Sequence, residues 1–145
     1  MKILFLDIDG VMNNDELLSI HGWNAIGELQ LDRLKHIVES TKAKIVLSSS
    51  WRLSDDTKTL VQEALATKNL ELIDATIEIR KKHSIVRRSE EILEWLTRHP
   101  EVVKFAILDD DSDAGFGIES HFFKTEFFEG LTWPIAHKVV EHLND

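Results

Sequence analysis

Short apolar runs of strand character alternate along this chain with stretches whose apolar residues recur at helical spacing. The first run, Lys2 to Leu6 (KILFL), ends on Asp7. A polar, irregular segment then extends to about Gln30. Beyond it Leu31, Leu34, Ile37 and Val38 mark one face of a helix. "AKIVLSSS" reads as a second buried strand closing on serines, and a helix from about Asp56 to Lys68 carries Leu60, Val61, Ala64 and Leu65. "LELIDATI" is a weaker strand. "SEEILEWLTRH" is a helix with Ser89 as its N-cap and Ile92, Trp95 and Leu96 on one face. Val103 to Leu108 is a further buried strand, again ending in carboxylates, and "HFFKT" a short last one. A final helix begins near Thr132, where Pro134 suits the first turn, and carries Ile135, Val139, Val140 and Leu143. Strands alternating with helices predict an α/β domain on a mostly parallel sheet.

With 145 residues, no repeat and no Pro/Gly/Ser linker, residues 1–145 read as a single domain. The chain has no cysteine, which excludes disulfide stapling and thiolate metal sites. Nothing resembles a targeting signal, and no apolar run approaches membrane-spanning length; a cytoplasmic protein without a membrane partner is the expectation. A net charge of -9 argues against sequence-independent nucleic-acid binding over the whole surface. One stretch departs from that balance: "RKKHSIVRR", Arg80 to Arg88, is strongly basic.

Three buried strands end in polar clusters: "LDIDG", "LSSSW" and "LDDDSD". In an open parallel sheet the carboxyl ends share one edge, and ligands bind in the crevice there. Strand alternation puts Asp7 and Asp9 on the same side with Ile8 opposite, and Gly10 permits a sharp turn or a close approach. Asp7, Asp9 and Asp109 then make an oxygen-rich pocket suited to a hard cation. Mg²⁺ fits best, because it takes few carboxylates and binds phosphate oxygens. Asp7 is placed to attack phosphorus, and Asp9 to protonate the leaving oxygen and later activate water.

These clusters resemble, in order, the four motifs of the haloacid-dehalogenase-like (HAD) phosphohydrolases. "FLDIDGV" is similar to the first motif, which implies Asp7 as nucleophile and Asp9 as general acid/base, the Asp9 backbone carbonyl also holding the metal. "IVLSSSWR" is similar to the second, a strand ending in a Ser or Thr that binds the phosphoryl group: Ser49 first, with Ser48 and Ser50 as neighbours. Arg88, ahead of "SEEILEWL", resembles the third-motif cation, though many relatives carry Lys and Arg87 competes for the role. "FAILDDDSD" is similar to the fourth, with Asp109 as metal ligand and Asp110 positioning it, and Asp111 or Asp113 as alternatives. "SSSWR", "RxxEIxxWL" and the late "GLT" resemble, more narrowly, the small HAD domains of RNA-repair proteins.

The resemblance implies a three-layer α/β/α sandwich of Rossmann type, with the strands bearing Asp7 and Asp109 adjacent. The roughly twenty residues after Asp9 suffice for a flap but for no sizeable cap. An open site suits a phosphate on something large, an oligonucleotide end or a phosphoprotein, with several of Arg80, Lys81, Lys82 and Arg87 flanking the crevice; the alternative for the basic run is a solvated loop whose charges serve solubility. The implied activity is a Mg²⁺-dependent phosphatase acting through an aspartyl-phosphate. The rival readings are a catalytically idle HAD-like binding module and a carboxylate-metal nuclease. A receiver-type phospho-acceptor fits worse. Trp51 and Trp95 read as core or rim packing, and the seven histidines show no ligand spacing.

Overall fold

The computed structural model describes residues 1–145. Five strands, β1 (Lys2–Leu6), β2 (Lys44–Leu47), β3 (Leu72–Ala75), β4 (Lys104–Asp109) and β5 (Phe122–Lys124), form one all-parallel sheet in the order β3-β2-β1-β4-β5. Helices α1 (Asp15–His21), α2 (Glu28–Thr41), α3 (Asp55–Ala66), α4 (Arg88–Thr97) and α5 (Trp133–Asn144) connect or flank the strands. No helix is long and apolar enough to cross a membrane.

Side-chain alternation sorts the strand residues into two cores, giving the three-layer sandwich. Leu4, Leu6, Ile45, Leu47, Ala106 and Leu108 face α2, α3 and α5, where Leu34, Ile37, Val61, Leu65, Val139 and Leu143 are buried. Ile3, Phe5, Val46 and Ile107 face the opposite way, onto Ile92 and Trp95 of α4 and Ala114. Phe5 and Trp95 meet edge to face with centroids 5.5 Å apart, and the Trp95 indole N–H donates to Asp74 at 2.8 Å. A strand buried on both faces has no need of polar positions, which is why these runs are continuous rather than alternating.

The strand order reverses between β1 and β4, the place where open α/β sheets bind ligands. Register sets what stands there. The last β1–β2 pair is Leu6 with Leu47, and Leu6 also pairs with Leu108 of β4. One step further, Asp7, Ser48 and Asp109 come side by side: the Asp7 N–H donates to Leu108 O at 3.0 Å and the Ser48 N–H to Leu6 O at 2.8 Å.

Two local expectations need correction. The segment before Gln30 is not wholly irregular, since Asp15–His21 is helical with Asn14 accepting from the Leu17 N–H at 2.9 Å. This short helix and its flanks are too small to make a cap domain. The fourth helix starts at Arg88 with Arg87 as its N-cap, so Ser89 lies inside it. Glu90, three residues beyond the cap, folds back to accept from the Arg87 N–H at 2.8 Å, and this replaces a serine cap.

Candidate active site

The turn after β1 is braced from several sides. Gly10 has φ +77°, and a Cβ there would lie 2.4 Å from a carboxylate oxygen of Asp110, so the backbone turns in space a side chain would need. Its N–H donates to Asn13 Oδ1 at 2.9 Å, and its carbonyl accepts from the Thr125 hydroxyl at 2.5 Å. Asn13 Nδ2 in turn donates to Asp9 Oδ1 at 3.0 Å and to Ala25 O at 3.1 Å. The other Asp9 oxygen accepts from the Trp51 indole at 3.1 Å. Both Asp9 oxygens thus accept from N–H donors.

Asp7, Asp109 and Asp110 each offer an oxygen within 4.8 Å of the others. Asp7 is 9% exposed and Asp109 3%. Burial is the first cause holding both carboxyls above their ordinary range, Asp7 at about 6 and Asp109 at about 9. Arg88 and the Ile8 backbone N–H pull Asp7 back down, whereas the Asp7 charge pushes Asp109 further up. Buried carboxylates this close are costly unless paired or bound to a cation. Three convergent carboxylates, two of them buried, with Gly10 leaving room for the third, are a donor set that fits a hard, oxygen-seeking ion such as Mg²⁺. The Asp9 side chain stands outside this cluster, turned to Asn13 and Trp51.

The three serines part company. Ser49 is the N-cap of a 3-10 turn, Ser50–Leu53, and its hydroxyl accepts from the Trp51 N–H at 3.2 Å. Ser48, in the row with Asp7 and Asp109, has a buried hydroxyl without a hydrogen-bond partner. Ser50 lines the cavity beside the aspartates. The arginines separate as well. Arg88 reaches inward, 3.9 Å from Asp7 Oδ1 and hydrogen-bonded to the Ser48 carbonyl. Arg87 turns outward, 4.0 Å from Asp113 and over the Phe116 ring.

Arg88 is itself held. Glu91, on the next turn of α4, stands 3.6 Å from its guanidinium through Oε1 and accepts from Arg52 at 3.0 Å through Oε2. Arg52 and Glu91 are buried, with side chains 5% and 9% exposed. Arg52 also donates to the Thr76 and Ser49 carbonyls at 2.8 and 2.7 Å. The pair therefore ties the ends of β2 and β3 to the helix that carries Arg88.

Asp7, Asp9, Ser50, Arg88, Asp109 and Asp110 line one cavity of about 180 Å³, together with Asp111 and Asp113 and with no apolar residue. Ser48 and Ser49 are outside that lining. Trp51, Asn13, Arg52, Glu91 and Thr125 support the site without having been singled out for it from the sequence. A second groove, about 480 Å³, shares Ser50 and Arg88 with the cavity and is bordered by Arg80 and Lys81.

Residues 3–136 match the model of a family described as the HAD domain in Swiss Army Knife RNA repair proteins. The match covers most of the chain, and the protein belongs to that family. No curated protein matches it.

Proposed function

We propose that this domain is a Mg²⁺-dependent phosphatase that hydrolyses a phosphomonoester through an aspartyl-phosphate on Asp7. The observation that carries the reading is the position of Asp7, between the Asp109–Asp110 carboxylates on one side and Arg88 on the other, at 3.9 Å. A nucleophile needs that surrounding, because an anionic phosphoryl group reaches a carboxylate only where positive charge offsets the repulsion. A Mg²⁺ held by Asp7, Asp109, Asp110 and the Asp9 carbonyl would supply the larger part of that charge.

The chain's own groups do the rest. Arg88 and the hydroxyl of Ser50 bind the phosphoryl oxygens and orient phosphorus for in-line attack. Asp7 forms a bond to phosphorus as the ester P–O bond breaks, and protonated Asp9 gives its proton to the departing oxygen. Water then attacks phosphorus, Asp9 takes its proton, and the Asp7–phosphorus bond breaks to release inorganic phosphate. The cavity is open and the flap small, which favours a phosphate at the end of a large molecule. The family's association with RNA repair supports a nucleic-acid end, and the Arg80–Lys81 groove adjoins the cavity through Ser50 and Arg88. Residues 1–145 act as one catalytic unit.

The test is turnover on a panel of phosphomonoesters that includes 3′- and 5′-phosphorylated oligonucleotides, with a phosphodiester as control. Phosphate release that requires Mg²⁺ and is lost in Asp7→Asn supports the reading. Cleavage of the diester alone would favour the nuclease, and no turnover of any ester the idle binding module.

A further inference from the structure

At about 180 Å³ the aspartate cavity is smaller than the roughly 300–1,000 Å³ of ordinary small-molecule pockets. That volume has room for a phosphoryl group and a cation and little else, and it offers no apolar wall. The organic part of any substrate must therefore be recognised at the rim.

On the Asp113 side the rim carries an unusual pair. The turn Ser112–Gly115 leaves β4 with Ala114 buried, but the next residue, Phe116, is 54% exposed. The Phe116 N–H donates to Asp113 O at 3.4 Å, so the ring sits one turn beyond a residue of the cavity wall. Gly115 lets this turn press onto Phe122, since a Cβ there would come within 2.4 Å of that ring. The Arg87 guanidinium lies 3.6 Å from the Phe116 ring centroid and is itself half exposed. Asp113 links the pair to the site: one oxygen faces Arg87 at 4.0 Å and the other accepts from the Arg88 N–H at 2.8 Å.

We infer that Phe116 and Arg87 form a stacking subsite for the nucleobase of the nucleotide whose phosphate occupies the cavity. The inference rests on the phosphatase reading above and gives it a substrate class, a phosphorylated single-stranded nucleic-acid end. A flat guanidinium on an aromatic ring at the mouth of an apolar-free phosphate site is a surface a base extends by stacking, whatever its sequence. The adjacent position of Arg87 and Arg88 in the chain means that one segment would grip the base and the phosphate of a single nucleotide.

The test compares kcat/KM on a phosphorylated oligonucleotide with kcat/KM on the same oligonucleotide whose terminal residue is abasic. Stacking on an aromatic side chain predicts that the base-to-abasic ratio falls about 5- to 150-fold in Phe116→Ala. Phe116→Tyr, which keeps the ring, should restore it. Quenching of a terminal 2-aminopurine on binding to Asp7→Asn should likewise be lost in the Asp7→Asn, Phe116→Ala double variant. A ratio near one in the wild type, or a ratio unchanged by Phe116→Ala, overturns the subsite and leaves the phosphatase intact. Preference for a phosphopeptide over every oligonucleotide does the same. Absence of any phosphomonoester turnover overturns both.

Discussion

The Trp51 indole donates to Asp9 Oδ2 at 3.1 Å, across 42 residues of chain, and so fixes the orientation of the candidate proton donor. Asn13 holds the other oxygen at 3.0 Å. The carboxylate therefore has little freedom to turn away from the cavity. Trp51→Phe keeps most of the apolar volume and removes the donor. A hydrogen bond to a charged group is worth about 1.5–3 kcal/mol, so kcat/KM on an alkyl phosphate should fall about 10-fold or more. On nitrophenyl phosphate, whose leaving group needs no proton, kcat/KM should change little. Asp9→Asn should show the same pattern more strongly, by about 10²–10⁴-fold on poor leaving groups. Equal losses on both esters would mean that Trp51 only packs.

Burial raises both Asp7 and Asp109 in the folded protein, from the ordinary 3.8 to about 6 and about 9. Between those limits the metal-free native state holds protons that the unfolded chain has released. Stability attributable to the pair is therefore greatest at the acid end and declines as pH rises toward 9. In EDTA, Asp109→Asn should be more stable than the wild type at pH 8 in urea unfolding, and its advantage should shrink toward pH 5. Added Mg²⁺ should stabilise the wild type, by about 2.7 kcal/mol at one hundred times its Kd, and leave Asp109→Asn nearly unmoved. A wild type indifferent to Mg²⁺ would remove the metal from the site.

Glu91 bridges Arg52 and Arg88 and also accepts from the Ile79 N–H at 3.0 Å. Removing one partner of a buried ion pair costs about 3–5 kcal/mol. Glu91→Ala should lose that much in denaturant unfolding. Its KM for phosphomonoesters should also rise, because the carboxylate that aims Arg88 is gone. Arg88→Ala should raise KM without the large loss of stability, which separates the two roles.

Most of the sheet was legible because its strands are buried on both faces and read as unbroken apolar runs. Asp7 and Asp109 were legible because each interrupts such a run at its end. The short helix Asp15–His21 was not, since seven residues with one buried leucine carry too little periodicity. Choosing among Ser48, Ser49 and Ser50 depends on the register of β2 against β1, and the chain alone does not reveal register. Trp51 read as packing, and Arg52 and Glu91 carried no signal, because the contacts Trp51–Asp9, Arg52–Thr76 and Arg52–Glu91 span 24 to 42 residues.

The basic run borders the groove next to the cavity, but two of its charges are already paired. Arg80 pairs with Glu78, and Lys81 with Glu90 at 2.5 Å. Neutralising Arg80, Lys81 and Lys82 together should weaken kcat/KM on a phosphorylated oligonucleotide. The salt dependence should become shallower, by about one unit of log–log slope for each phosphate that the protein no longer neutralises. Activity on glycerol phosphate should hardly move. Equal effects on both substrates would leave the run without a role in binding.

Covalent catalysis by Asp7 is tested most directly by the stereochemical course at phosphorus. A phosphomonoester made chiral with oxygen isotopes or sulfur, hydrolysed in labelled water, reports how many in-line displacements occur. Attack by Asp7 followed by attack of water on the aspartyl-phosphate is two displacements, so covalent catalysis gives net retention of configuration. Net inversion would mean that water attacks the ester directly, and would contradict it.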